Sequence, residues 1–252
     1  MKKVVVIAGG ARSLGKFLAL KFYEEKYETI VLDVNASNLE AFKKEHPNIT
    51  TFLCDLINET EVVNTFKKIE EKFKNIDISV YNAGYAVSNK IDKFLFEDFK
   101  KICAINLNGY FLVARESAKI MIKNNIKGSI IQINSKSGRV GSKHNTGYSA
   151  AKFGGVGLTQ SLALDLAEHN IRVNALMLGN LLDSDMFESL IPAYAKKLDI
   201  SENEVKKYYI DKVPLKRGCS FEDVYNVLKF YASDKASYCT GQSINITGGQ
   251  VM

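Results

Sequence analysis

The chain has 252 residues, 46% of them hydrophobic and 25% charged, which is enough for one large core and predicts a single domain. No run approaches the roughly 18 to 20 uninterrupted apolar residues of a membrane span, and "MKKVVVIAGG" leads straight into a strand and a glycine turn, so no anchor, no secretory leader and a cytoplasmic protein are expected. The formal charge of +6 is spread along stretches such as "FKKIEEKFKN", the pattern of solvated helix faces rather than of a nucleic-acid surface, and it suits an anionic small substrate.

In chain order, seven short β-branched runs alternate with longer amphipathic stretches: "VVVIAG" from Val4, "TIVLDV" from Thr29, "TTFLCDL" from Thr50, "ISVYNAG" from Ile78, "SIIQINS" from Ser129, "RVNALML" from Arg172 and "SINITGG" from Ser243. Most read as apolar on both faces, which predicts a doubly wound α/β fold with a mainly parallel sheet covered by helices on each side. In the first helix Leu14, Leu18 and Phe22 recur at four-residue steps and are expected to face the sheet. No linker divides the chain. The tract 181–217, with Pro192 and Pro214 between short helical patterns, is a candidate substrate lid.

After the first strand, "AGGARSLG" places Gly9, Gly10 and Gly15 where the chain turns into a helix. Such glycines let backbone amides approach a pyrophosphate, although glycine also marks plain turns. Asp33 ends the second strand, where its carboxylate can accept bonds from both adenosine ribose hydroxyls and repel a 2'-phosphate; Arg12 pulls toward NADP. A carboxylate within hydrogen-bond reach of the ribose outweighs an arginine free to swing into water, so the expected cofactor is NAD. The cysteines (Cys54, Cys103, Cys219 and Cys239) and histidines (His46, His144 and His169) show no ligand spacing, and no metal site is expected.

Farther along, Tyr148 and Lys152 form a Y-x-x-x-K step with Ser135 thirteen residues upstream. One helical turn apart, the ammonium is expected to lower the phenol toward the range in which it serves as a general base. These residues fall in the order seen in the short-chain dehydrogenase/reductase family, which the whole chain resembles: the glycine loop, "CDL" with Asp55 and Leu56, "NAG" at Asn82, Ala83 and Gly84, "INLNGYF" with Asn106, and the Ser135, Tyr148 and Lys152 set. The resemblance implies a tetrad of Asn106, Ser135, Tyr148 and Lys152, in which Tyr148 takes the substrate proton and Ser135 holds the same oxygen. It gives Lys152 the tuning of the phenol and the nicotinamide ribose, and Asn106 a relay water. It also implies cofactor contacts from Gly9, Arg12, Ser13, Leu14, Gly15, Asp33, Asp55, Leu56, Asn82, Ala83, Gly84, Tyr148, Lys152, Gly179 and Ser184, and a homotetramer.

Three positions depart from the family pattern: Ser13 stands for its middle glycine, Leu178 for a proline after the sixth strand, and Tyr81 for an asparagine before "NAG". Within the family the C-terminal half resembles members that oxidise sugar-alcohol phosphates with NAD, so a phosphorylated polyol or ketose is the expected substrate. Lys136, Arg139, Lys143 and His144 crowd the loop after the fifth strand as candidate phosphate ligands, with Lys216 and Arg217 as a second pair; the alternative is a solvated basic loop. Another polyol or a keto-acyl substrate, and a noncatalytic NAD-binding regulator, are the alternatives to this reading.

Overall fold

All seven expected runs form strands in the computed structural model, which describes residues 2–252. They are β1 (Val4–Ala8), β2 (Glu28–Asp33), β3 (Thr50–Leu53), β4 (Ile78–Tyr81), β5 (Ser129–Ser135), β6 (Arg172–Leu178) and β7 (Ser243–Ile246). They lie in one sheet in the order β3-β2-β1-β4-β5-β6-β7, and every neighbouring pair is parallel.

The pleat sends alternate residues of β1 to opposite faces, and both are covered. Val5 and Ile7 pack with Leu14, Leu18 and Phe22 of α1 (Ser13–Glu24), Leu39 and Phe42 of α2 (Ala36–Glu45), and, across the sheet, Val224 and Leu228 at its far side. Val4, Val6 and Ala8 face Val62, Phe66 and Ile69 of α3 (Glu59–Phe73) and the body of the molecule beyond β4. There α4 (Phe96–Cys103) runs through one π-helical turn, Ala104–Asn108, into α5 (Gly109–Lys123), and α6 (Thr146–Leu166) follows β5.

Because β2 and β4 flank β1 on opposite sides, the chain leaves β1 in one direction and β4 in the other. The two departures open a crevice at the carboxyl ends of the strands, where ligands of open α/β sheets bind.

The tract 181–217 is more regular than its sequence suggests. It holds α7 (Asp185–Leu198), which contains Pro192, and α8 (Glu202–Asp211), before α9 (Phe221–Ala232). Ser184 caps α7 by accepting from the Phe187 amide, and a Ser201–Glu204 capping box starts α8. The two helices share a small core of their own around Leu182, Phe187, Ala195 and Val205, with Tyr194 and Tyr209 packed against it.

Candidate active site

A cavity of about 1040 Å³ occupies the crevice. The glycine loop forms its first wall. Gly9 has φ of +79°, and a Cβ there would lie 2.7 Å from the Ala83 backbone, so only glycine fits. Ser13 adopts φ of +49°, the left-handed conformation that the family's glycine would take without strain. Gly15 does not line the cavity; a Cβ on it would lie 2.1 Å from the Gly9 carbonyl oxygen and 2.7 Å from Asn82 Nδ2. It lets α1 pack closely under the loop. Asn82 Nδ2 donates to the Gly9 carbonyl at 2.6 Å, tying the end of β4 to the loop.

Asp33 reaches the same wall, with Oδ2 accepting from Ala11 N and Oδ1 from Asn35 N, each at 3.1 Å. Asp55 and Leu56 line it from beyond β3, and Ala83 and Gly84 from beyond β4. Arg12 lines the cavity too, but its guanidinium stands 3.6 Å from the Asp185 carboxylate at the start of α7. It therefore bridges the loop and the start of α7 at the exposed edge of the cavity. Leu14, Gly179 and Ser184 complete this half of the lining.

The other half carries Ser135, Tyr148 and Lys152. Ser135 Oγ accepts from Ser137 N at 3.1 Å, so its own proton is free to be donated. Lys152 Nζ donates to the Ile133 carbonyl at 3.1 Å and stands 5.5 Å from the centre of the Tyr148 ring. Asn106, fully buried in the π-helical turn, is held from both sides: Nδ2 donates to Tyr85 O at 2.7 Å and to Ile102 O at 2.9 Å. Its Oδ1 has no hydrogen-bond partner among the described residues, an uncommon state for a buried acceptor. Tyr81, in place of the family's asparagine, donates its hydroxyl to the Ile105 carbonyl and so braces that turn.

The expected lowering of the phenol by the Lys152 ammonium is not present in the protein alone. Burial raises Tyr148 above its ordinary value, with the Ser135 hydroxyl pulling it back and Tyr194 adding a smaller rise. Burial also pushes Lys152 down to about 8. Loss of water disfavours both charged forms at once, and the helical spacing seen in the sequence carries no information about that burial.

Two buried polar side chains of β5 organise this half. Asn134 Nδ2 donates to Gln132 Oε1 at 2.8 Å and to the Lys152 carbonyl at 3.0 Å, while Asn134 Oδ1 accepts from Ser135 N at 2.7 Å. Gly155 makes the approach of α6 possible, since a Cβ there would lie 2.6 Å from the Gln132 amide.

Of the basic residues singled out in the sequence, Lys136 and Lys143 line the cavity. His144 and Arg139 do not, and Arg139 donates instead to the Ser243 carbonyl at 2.5 Å. Lys216 Nζ turns to the Asp211 carbonyl, and Arg217 forms a two-pronged pair with Asp223. Lys197 and Lys212, which sequence reading passed over, line the cavity from α7 and from just after α8.

The short chain dehydrogenase family model matches residues 3–195. The sorbitol-6-phosphate 2-dehydrogenase of Escherichia coli K12 is 54% identical over the full length of both chains. The crystal structure of sorbitol-6-phosphate 2-dehydrogenase from Erwinia amylovora superposes with a TM-score of 0.93 at 55% identity over 99% of each chain. An NAD⁺-bound xylitol dehydrogenase gives a TM-score of 0.92 at 28% identity over 98% of each chain. Sheet order, glycine cradle and the Ser135, Tyr148 and Lys152 grouping agree with these matches: the chain belongs to the short-chain dehydrogenase family of nicotinamide-dependent oxidoreductases.

Proposed function

We propose that the protein transfers hydride between NAD and a sugar-alcohol phosphate, interconverting D-sorbitol 6-phosphate (D-glucitol 6-phosphate) and D-fructose 6-phosphate. The observation that carries this reading is the polarity of the cavity. Asp33 and Asp55 stand at the ends of β2 and β3, whereas Lys136 and Lys143 follow β5. Three strand spacings, roughly 14 Å, separate β2 from β5 in the sheet. Carboxylates at one end suit a ribose and reject a 2'-phosphate; ammonium groups at the other suit a phosphorylated substrate. Full-length similarity to sorbitol-6-phosphate 2-dehydrogenases supports the same substrate.

The glycine cradle of Gly9, the carboxylate of Asp33 and the free acceptor on Asn106 fit a dinucleotide and its relay. When bound, NAD supplies the hydride acceptor and a positive ring charge beside the phenol. Tyr148 Oη, once its own proton has passed to solvent and it stands as phenolate, would take the proton of the secondary hydroxyl as Ser135 Oγ donates to the same oxygen. Lys152 holds the nicotinamide ribose, and Asn106 Oδ1 accepts from the water through which the phenol exchanges its proton with solvent. Exposed Phe111 of α5 and Phe153 and Leu164 of α6 support packing of these helices against their copies in a homotetramer. A charged substrate and a free dinucleotide support a cytoplasmic reaction.

Initial rates of NADH formation test the reading, with D-glucitol 6-phosphate, D-glucitol, xylitol and a 3-hydroxyacyl thioester compared. Glucitol 6-phosphate is expected to have the highest kcat/KM; a higher value for an unphosphorylated or acyl substrate contradicts it.

A further inference from the structure

Four lysines converge on the cavity end opposite Asp33: Lys136 after β5, Lys143 in the β5–α6 loop, Lys197 in the last turn of α7 and Lys212 just past α8. None is within ion-pair distance of a carboxylate among the described residues. Lys197 Nζ donates to the Lys143 backbone carbonyl at 2.6 Å, and Lys136 Nζ to Gln250 Oε1 at 2.5 Å. These neutral acceptors position the ammonium groups without cancelling their charge.

The lysines also oppose one another. Burial, followed by Lys212 and Lys197, pushes Lys136 down to about 8; burial, followed by Lys143 and Lys212, lowers Lys197. Helix C-termini favour cations, which accounts for Lys197 and Lys212 individually but not for their meeting Lys136 and Lys143. Lys136 and Lys197 are half-buried and Lys143 and Lys212 exposed; such a cluster of like charges is stabilised by a multivalent anion between them.

The four belong to two bodies. Lys136 and Lys143 are fixed to the sheet and α6, while Lys197 and Lys212 ride on the α7–α8 pair, which has its own small core and packs chiefly on itself. We infer that the substrate phosphate bridges these two bodies, drawing the α7–α8 pair down as a lid, so that a free phosphate-like dianion in the same place activates turnover of the unphosphorylated polyol. This rests on the sugar-alcohol-phosphate reading above. Binding energy from a group remote from the reacting carbon is thereby used to order the site around Tyr148.

The experiment measures NADH formation from D-glucitol with and without inorganic phosphite, at constant ionic strength, alongside glucitol 6-phosphate. Saturable activation of D-glucitol turnover by phosphite is expected in the wild type. Lys197→Met and Lys212→Met are each expected to abolish the activation and to lower kcat/KM for glucitol 6-phosphate by about 10- to 100-fold, the effect of losing one charged hydrogen bond. Hydrogen exchange of the NAD-bound protein gives a second readout: phosphite is expected to slow exchange across 185–211 in the wild type and not in Lys197→Met. Phosphite that inhibits or does nothing, while glucitol 6-phosphate remains the preferred substrate, overturns the bridging lid and leaves the substrate reading standing. Equal kcat/KM for glucitol and its 6-phosphate overturns both.

Discussion

The Asn134 amide reaches from the carboxyl end of β5 to the backbone carbonyl of Lys152 on α6, 3.0 Å away, and its carbonyl oxygen accepts from the amide of Ser135. One side chain at the cavity wall thus holds the backbones of two tetrad members. Asn134→Leu leaves the Lys152 carbonyl and the Ser135 amide without this partner in a buried setting. We expect a stability loss of about 1–3 kcal/mol in urea unfolding together with a fall in kcat. Wild-type stability in that variant contradicts this account of the strand–helix junction.

Asp33 accepts from two backbone amides and lies at the ribose end of the cavity. Asp33→Asn keeps a side-chain acceptor for the loop and removes the charge. The wild type is expected to use NAD far better than NADP, and the variant to shift the ratio of the two kcat/KM values toward NADP by about 10- to 100-fold. Equal rates with both dinucleotides in the wild type contradict the role given to the carboxylate.

Lys136 is pushed down to about 8 by burial and by Lys212 and Lys197. Between that value and the ordinary lysine value of about 10.4 the unfolded chain binds more protons than the folded one, so this group's destabilising effect is complete below pH 8 and disappears as pH rises through that window. Relative to the wild type, Lys136→Met should be most stable near pH 7 in phosphate-free buffer, with the advantage shrinking toward pH 10. Thermal unfolding of both proteins across that range checks the sign; an advantage that grows with pH contradicts it.

How far the site can be read from sequence depends on whether a residue's role is set locally. The seven strands were legible because two-sided burial leaves uninterrupted β-branched runs, and the Tyr148–Lys152 step because one helical turn fixes its geometry. Gln132 and Asn134 were hidden inside "SIIQINS", where the pleat alone does not reveal that both meet α6. Lys197 and Lys212 looked like ordinary exposed lysines of amphipathic helices; only the fold-back of α7 and α8 aims them at the cavity. Lys216 and Arg217 point elsewhere, to the Asp211 backbone carbonyl and the Asp223 carboxylate, because the turns between α8 and α9 fold each back onto a near neighbour in sequence. The π-helical turn that buries Asn106, and the Tyr81 hydroxyl that braces it, depend likewise on packing between β4 and α5.

The central claim is that Tyr148, as its phenolate, is the proton acceptor in a hydride transfer from a phosphorylated polyol to NAD. Its most direct test is the steady-state rate of NADH formation from D-glucitol 6-phosphate by the wild type and by Tyr148→Phe, with NAD binding measured in parallel by calorimetry. The variant should bind NAD nearly as well as the wild type and lose about 100- to 10,000-fold in kcat, the contribution of a positioned general base. Wild-type turnover by Tyr148→Phe would contradict the claim.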